Sequence, residues 1–382
     1  MAIVKSSPSE LAIHGGGPPA FASKLPVFTA NVGNGQRFAG LAERMFVAEE
    51  APGRLAEEFE GVLCEWLGVR NVVGFSSLPA AMRCVERSVK IKGKVFAPAF
   101  GSGAFSLEER PVDVDCETAT YGMSPAKLAV ELRDDASAVF AVHPLGRPCM
   151  IEELQDLCDE WSVPLFLYGH QALGCSFQGA RLGTFGRAEI FDLGRDQLVH
   201  AMDATVVATD DDLLAHRLRR VRSERVERID QSIGDAAAAM GIANLEAAPD
   251  FVKSNRARSE RYRELLLTVP GIKFVRHEAG STYQSIAIEV DPSLAGLSRD
   301  ALHDVLVAEN VGTDKPLHDN RPLTPTPQRS APATVASRLA SSLLQLPNGP
   351  AATEEAIEAV CKLVELAIIR SLESPDPIRL AA

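Results

Sequence analysis

The sequence predicts an α/β protein with a mostly parallel central sheet, helices on both faces of that sheet and a smaller C-terminal α+β domain. Short apolar runs alternate with segments of helical periodicity up to about residue 210, which is typical of strands buried between helical layers. Beyond that point the pattern becomes mainly helical. Because 382 residues exceed one typical core, we predict a large domain over residues 1–245 and a small domain over residues 246–382.

The elements of the large domain follow from this alternation. Residues 52–69 place apolar side chains at helical spacing, and Pro52 suits a first helical turn. Ser124 suits the N-cap of a later helix. The other segments are, in order, the strand NVVGFSS, the helix LPAAMRCVERSV, the strands KVFAPAF and PVDVDCE, the helix SPAKLAVELR, the strand ASAVFAVHP, the helix MIEELQDLCDEW and the strand VPLFLYG.

The second part of the chain predicts a different architecture. Residues 235–268 form a long helical connection with the Ala-rich run DAAAAMGIANL. Two strands, IKFVRHE and YQSIAIEV, precede the helix SRDALHDVLVAEN, and two further helices complete the domain. Residues 315–333 are rich in proline and polar side chains, which indicates a loop.

Composition and charge exclude several classes of partner. The net charge is −12 and the pI is about 5.3, and the basic run RLRRVRSERVER alternates with apolar residues like a solvated helix face. We therefore expect no nucleic-acid partner. No apolar stretch approaches the ~20 residues of a membrane span, and the first residues lack the apolar core of a signal peptide.

The cysteines indicate a reduced protein without a metal centre. There are seven, an odd number, and none forms a C-x-x-C pair. This pattern supports neither a zinc site nor a disulfide framework, so we expect no metal and a cytoplasmic location.

Five stretches of the chain are similar to motifs of one known family. They are LAIHGGGPP, LAEEFEGVLCEWLGVRNVVGFSS, AVHPLGRPCMIEELQDLCDEWSVPLF, HQALGCSFQGARLGTFG and LLQLPNGPAATEEAIEAV. Together they resemble the DegT/DnrJ-type sugar aminotransferases over roughly residues 10–370. The resemblance implies the type I fold of pyridoxal phosphate (PLP) enzymes, a dimer, and sites built from both subunits.

The resemblance places a glutamine where the family has its catalytic lysine. The segment IFDLGRDQLVHAMDATVVATD resembles the stretch in which the Schiff-base lysine follows a phenylalanine by six residues. Phe191 is in place, and position 197 is Gln197. An amide nitrogen is not a nucleophile, and the sequence has no lysine between Lys127 and Lys253. The missing lysine argues against a functional transaminase.

Other positions that contact the cofactor in the family also differ. Tyr168 stands where the family has the acid that faces the pyridine nitrogen, and a phenol cannot replace that carboxylate. The phosphate loop reads Ser-Ser-Leu-Pro over residues 76–79, so Pro79 removes a backbone N–H. The stacking ring is replaced by Ser102, unless Phe100 takes its role. The Tyr-Asn-x-Arg stretch has become residues 229–232, Ile-Asp-Gln-Ser. These differences predict that PLP binding is lost and that the chain uses no cofactor.

The remaining polar residues of this pocket are the candidate site. Strand ends in open α/β sheets are where ligands bind, and His, Tyr and Asp side chains can carry acid–base chemistry. The candidate catalytic residues are His143, Tyr168, Gln197 and His200. The candidate substrate-binding residues are Ser76, Ser77, Ser102, His170, Gln171, Asp196, His318 and Arg321. Each could instead be a polar group hydrogen-bonded within a collapsed pocket.

Three functions remain open. The first is an enzyme that kept the aminotransferase fold and performs PLP-independent chemistry on a small natural-product or sugar-derived substrate. The second is a non-catalytic subunit that pairs with an active aminotransferase paralogue. The third is a non-covalent PLP enzyme of the dehydratase type, in which a histidine such as His200 replaces the lysine. We expect a homodimer for the first, and a heterodimer for the second.

Overall fold

A computed structural model of the chain describes residues 2–15, 17–46, 51–101, 107, 111–224, 231–316 and 334–373. The helices are α1 (Gly35–Glu43), α2 (Arg54–Leu67), α3 (Leu78–Val89), α4 (Pro125–Glu131), α5 (Ile151–Glu160), α6 (Asp212–Ser223), α7 (Asp235–Leu266), α8 (Pro292–Ala295), α9 (Arg299–Ala308), α10 (Thr334–Ser342) and α11 (Glu354–Glu373).

The strands form three sheets. They are β1 (Asn71–Phe75), β2 (Lys94–Pro98), β3 (Val112–Val114), β4 (Ala136–Val142), β5 (Leu165–Tyr168), β6 (Ser176–Phe177), β7 (Ala180–Arg181), β8 (Ala188–Leu193), β9 (Ala204–Thr209), β10 (Ile272–Phe274), β11 (Ala287–Val290) and β12 (Leu343–Gln345). The main sheet has the order β1-β9-β8-β5-β4-β2-β3. β10, β11 and β12 form the small-domain sheet, and β6 pairs with β7.

The topology of the main sheet brings distant parts of the chain to one edge. All neighbouring pairs are parallel within the segment β8-β5-β4-β2-β3. Strand β9 is antiparallel to both β8 and β1. The carboxyl ends of β1, β2, β4, β5 and β8 therefore point the same way. In α/β sheets this edge is where ligands bind, and the predicted mostly parallel sheet is confirmed.

Apolar layers cover both faces of the sheet. One cluster packs α2, α4, α5 and α7 against one face, and a second packs α3 and α6 against the other. A third cluster joins β10–β12, α9 and α11. The predicted domain boundary at residue 245 lies inside α7, which packs against α2 and also against α11. The long helix thus connects the two cores directly.

A glycine permits the close packing of α7 on α2. A Cβ built on Gly241 would lie 2.5–2.9 Å from ring atoms of the fully buried Phe59. We expect Gly241→Ala to lower the free energy of unfolding by about 1–3 kcal/mol, because overpacking exceeds the gain in helix propensity. Gly61→Ala is the control in α2, since nothing lies within 4 Å of its Cβ, and it should be neutral or stabilising. Urea unfolding of both variants checks this, and an equal response would contradict the packing argument.

The sequence predicts neither a membrane-spanning helix nor a metal site. No helix among the described residues is both long enough and apolar enough to cross a membrane. Within the same part of the chain, no three His, Cys, Asp or Glu side chains are grouped as metal ligands. Residues 317–333 of the predicted loop lie outside the described ranges.

Candidate active site at the carboxyl edge of the sheet

Five polar residues meet where β5 and β8 end, and we call them the strand-end site: Tyr168, His170, Asp192, Asp196 and Gln197. Tyr168 is the last residue of β5, and Asp192 lies next to the last residue of β8. Because β5 pairs in parallel with β8, the loops that follow the two strands lie side by side.

Gln197 holds these two loops together. Its Nε2 donates to Asp192 Oδ2 at 3.1 Å, and its Oε1 accepts the backbone N–H of Gln171 at 3.0 Å. Gln171 has a left-handed backbone with φ 60°, which turns its N–H towards the amide. Gln197 is only 1% exposed. Both ends of its amide are therefore used in structural hydrogen bonds.

The other members of the strand-end site surround His170. The Tyr168 hydroxyl lies 3.2 Å from Asp192 Oδ1 and 3.4 Å from His170 Nδ1. Asp192 Oδ1 is 3.7 Å from the same nitrogen, and Asp196 Oδ2 is 4.0 Å from His170 Nε2. The side chains of His170, Asp192 and Asp196 are 24%, 20% and 34% exposed. A small molecule can thus reach a histidine that two carboxylates flank.

Electrostatics favour a charged His170. Burial lowers the pKa of His170, but the hydrogen bond and charge of Asp192 raise it, as do the charges of Asp196 and Asp314, and the net pKa is raised. Burial, followed by Asp192, raises the pKa of Tyr168 well above its ordinary value. Tyr168 therefore remains a neutral hydrogen-bond donor, and His170 is the group of this pair whose charged form Asp192 stabilises.

Removal of the Asp192 charge should reverse this shift. We expect Asp192→Asn to lower the pKa of His170, measured by NMR titration of the imidazole nitrogens. A raised folded pKa stabilises the fold below about pH 6.5, the ordinary value for histidine, and this contribution is lost as pH rises through the folded pKa. The parent should therefore lose more stability than Asp192→Asn across that window. An unchanged His170 pKa in the variant would refute the assignment.

The small domain also contacts the strand-end site. Gln345 Nε2 donates to Gln171 Oε1 at 3.0 Å and to Ser285 Oγ at 2.7 Å, and Gln284 Nε2 donates to the Asp196 carbonyl at 2.6 Å. Gln284 and Gln345 were not identified from the sequence, because they are distant in the chain from the strand ends that they contact. Asp192 is likewise absent from the candidate residues predicted from the sequence.

The structure places His143 beneath the site. It is fully buried, its Nδ1 accepts the Cys149 N–H at 3.1 Å, and its Nε2 lies 3.7 Å from Oε2 of the fully buried Glu189. A substrate cannot reach this ring in the structure. His143 therefore supports the turn that follows β4 and does not face solvent.

The other predicted residues have separate positions. Ser77 is the N-cap of α3 and accepts the Ala80 N–H, and the Ser76 N–H donates to the Gln231 carbonyl. The His200 carbonyl accepts from Asn244 Nδ2, and no contact with the strand-end site is seen for its ring in the described part of the chain. Ser102, His318 and Arg321 lie outside the described residues.

Known proteins share both the sequence pattern and the fold. Residues 47–365 match the DegT/DnrJ/EryC1/StrS aminotransferase family. EpsN of Bacillus subtilis, a putative pyridoxal phosphate-dependent aminotransferase, is 27% identical over 58% of this chain and 63% of its own length. The dTDP-4-amino-4,6-dideoxy-D-glucose transaminase of Escherichia coli is 24% identical over 82% and 90% of the two chains. The structure of DesI with its TDP-sugar product is 30% identical, with a TM-score of 0.84 and coverage of 96% and 98%.

The prediction that this chain uses no cofactor is wrong, because these relatives are PLP-dependent aminotransferases and nothing observed here shows that the cofactor is lost. The described residues offer one position for the phosphate of PLP. Ser76 and Ser77 lie at the N-terminus of α3, where the helix dipole favours an anion. The N–H groups of Ser76 and Ala80 already donate to the Gln231 carbonyl and to Ser77 Oγ, so the two hydroxyls and the dipole are what this position offers. Pro79 occupies the second position of α3 and supplies no N–H to such an anion.

The fit does not extend to a covalent link at position 197, because a glutamine has no amine. Phe100, which is buried, follows β2 at the same edge of the sheet and offers an aromatic ring. The same family is indicated by the sheet order, by the strand-end site and by the match over residues 47–365. The chain belongs to the DegT/DnrJ/EryC1/StrS aminotransferase family.

Proposed function

We propose that this protein is an enzyme that acts on a nucleotide-linked keto sugar by proton transfer through His170, without a covalent bond to residue 197. The substrate class is supported by the TDP-sugar product of DesI and by the dTDP-amino sugar of the E. coli transaminase. A transaminase that forms an amino sugar starts from the corresponding ketone. The carbonyl of such a ketone makes the hydrogens on the neighbouring carbon acidic.

The observation that carries the proposal is the partly exposed His170 between two carboxylates and a phenol. Its Nδ1 faces Tyr168 and Asp192, which hold the ring and stabilise its charged form. Its Nε2 lies farther from a carboxylate, with Asp196 Oδ2 4.0 Å away, so this is the nitrogen that contacts the substrate. Nε2 removes the proton from the carbon next to the carbonyl, or returns it. Proton transfer by a positioned histidine is a common catalytic device.

Gln197 has a positioning role in this proposal. It orients Asp192 by a hydrogen bond at 3.1 Å and fixes the Gln171 turn at 3.0 Å. The PLP cofactor of the family would be held by Ser76, Ser77 and the α3 N-terminus without a covalent link. When bound, PLP supplies an electron sink that stabilises negative charge on a neighbouring carbon. The residues of this chain bind and orient the substrate, and His170 moves the proton.

Hydrogen exchange in heavy water tests the proposal. The purified protein is incubated in D2O with dTDP- and GDP-linked 4-keto-6-deoxy sugars, with and without added PLP, and deuterium at the carbons beside the carbonyl is followed by NMR. We expect the protein to accelerate incorporation at one such carbon. No acceleration with any of these sugars, with or without PLP, would contradict the proposal. Activity that appeared only after addition of an aminotransferase paralogue would favour the partner-subunit function instead.

A further inference from the structure

A second cleft lies away from the strand-end site. It has a volume of about 480 Å³ and forms between the loop after β3, the end of α7 and strand β10. None of its lining residues belongs to the strand-end site.

The charge of this cleft differs from that of the whole chain. Four cationic side chains line it, and no carboxylate does, although the protein carries a net charge of −12. Lys273 pairs with Glu289 at 2.6 Å. Arg263 and Arg276 have no carboxylate partner among the described residues. Clustered like charges repel each other, and an anionic ligand relieves that repulsion.

Arg147 provides the second observation. Its Nη2 donates to the Ala119 carbonyl at 2.7 Å, and its guanidinium lies 4.9 Å from the centre of the Tyr121 ring. These contacts fix the group at the wall of the cleft. Its Nε is buried and has no hydrogen-bond partner among the described residues. Because Nε is enclosed by the protein, an anion in the cleft would contact Arg147 through the outer part of its guanidinium.

The rest of the lining is apolar. Leu266, Ile272, Phe274 and Val275 form much of the surface, and Leu267 is 64% exposed. A large exposed leucine beside arginines suits a ligand that has both an apolar and an anionic part. Inorganic phosphate would leave the apolar part uncovered.

We propose that this cleft binds a nucleoside phosphate, with the phosphates on the arginines and the base on the apolar surface. Arginine recognises phosphate by paired, charge-assisted hydrogen bonds. The volume lies within the range typical of small-molecule sites, ~300–1,000 Å³. The proposal is independent of the reaction at the strand-end site, because the two linings share no residue.

Calorimetric titration with dTDP, thymidine and inorganic diphosphate tests this site. The Arg263→Ala/Arg276→Ala double variant should weaken dTDP binding by at least about tenfold, since charge-assisted contacts are removed. Arg83→Ala is the matched control, because Arg83 is exposed on α3, and it should bind like the parent. Leu267→Ser should weaken dTDP but not diphosphate. The double variant should keep the hydrogen exchange activity of the strand-end site.

The outcomes separate the two proposals. If the parent fails to bind dTDP at millimolar concentration, or if the double variant binds as tightly as the parent, the cleft is not a nucleotide site. A double variant that loses dTDP binding while keeping exchange on the dTDP-linked sugar would show that the two sites are separate. Loss of dTDP binding in His170→Gln alone would place the nucleotide at the strand-end site and overturn the inference.

Discussion

His170→Gln should reduce the hydrogen exchange rate by about 10²–10⁴, the usual effect of removing a positioned acid or base. Glutamine keeps much of the volume and polarity of the side chain but cannot carry a proton between atoms near neutral pH. Asp192 and Tyr168 would remain in place, so substrate binding should change less than turnover. Steady-state kinetics would therefore show the loss mainly in kcat.

Two comparisons distinguish a catalytic role for His170 from a structural one. His216→Gln replaces an exposed histidine of α6 and should leave the exchange rate unchanged. In the parent, the pH profile of the exchange rate should follow a group whose pKa lies above the ordinary value for histidine. Asp192→Asn should shift this profile to lower pH. If His170→Gln folds normally, as judged by urea unfolding, and retains full exchange, His170 is not the proton carrier.

Glu309→Ala should lower the free energy of unfolding by about 3–5 kcal/mol, the range for removing one partner of a buried ion pair. Glu309 is fully buried and accepts the backbone N–H groups of Ala12 and Ala20, each at 2.6 Å. Lys5, with a side chain 4% exposed, lies 3.8 Å away and donates to the Pro18 carbonyl at 2.7 Å. The variant leaves two N–H groups without their acceptor and one buried ammonium without its counter-ion.

An exposed pair in the same domain is the control for Glu309. Lys362 and Glu365 lie 2.8 Å apart, with side chains 41% and 44% exposed. Glu365→Ala should cost less than about 1 kcal/mol, because water screens such pairs. Both variants are compared by urea unfolding and by proteolysis of the N-terminal segment. Equal stabilities would show that the Glu309 contacts do not hold this segment.

The fold could be predicted because its strands are apolar and its turns are polar. VPLFLYG and ASAVFAVHP contain the buried strands β5 and β4, since a strand covered on both faces has few polar positions. Of the predicted strand YQSIAIEV, only the four residues of β11 form a strand. Strand β12 was not predicted, because a strand of three residues gives no periodic signal. Glu309 looked like a polar helix end, and only the tertiary structure shows that it is buried.

The site could be predicted in part. Tyr168, His170, Asp196 and Gln197 lie together because they follow two adjacent parallel strands. The chain order does not reveal the direction in which a side chain leaves its strand, so the burial of His143 against Glu189 was not predicted. The expected loss of cofactor was wrong because it treated each position separately. The dipole of a helix N-terminus favours phosphate whichever side chains stand there, and the substitutions at residues 78 and 79 leave that dipole in place.

The fate of an amino group tests the central claim most directly. The purified protein is incubated with PLP, ¹⁵N-glutamate and dTDP- or GDP-linked 4-keto-6-deoxy sugars in D2O, and the sugar is analysed by NMR and mass spectrometry. Our account predicts deuterium beside the carbonyl and no nitrogen in the sugar, because Gln197 provides no amine for a covalent link. A ¹⁵N-labelled amino sugar, formed by the parent protein at a rate above that of the mixture without it, would contradict the account.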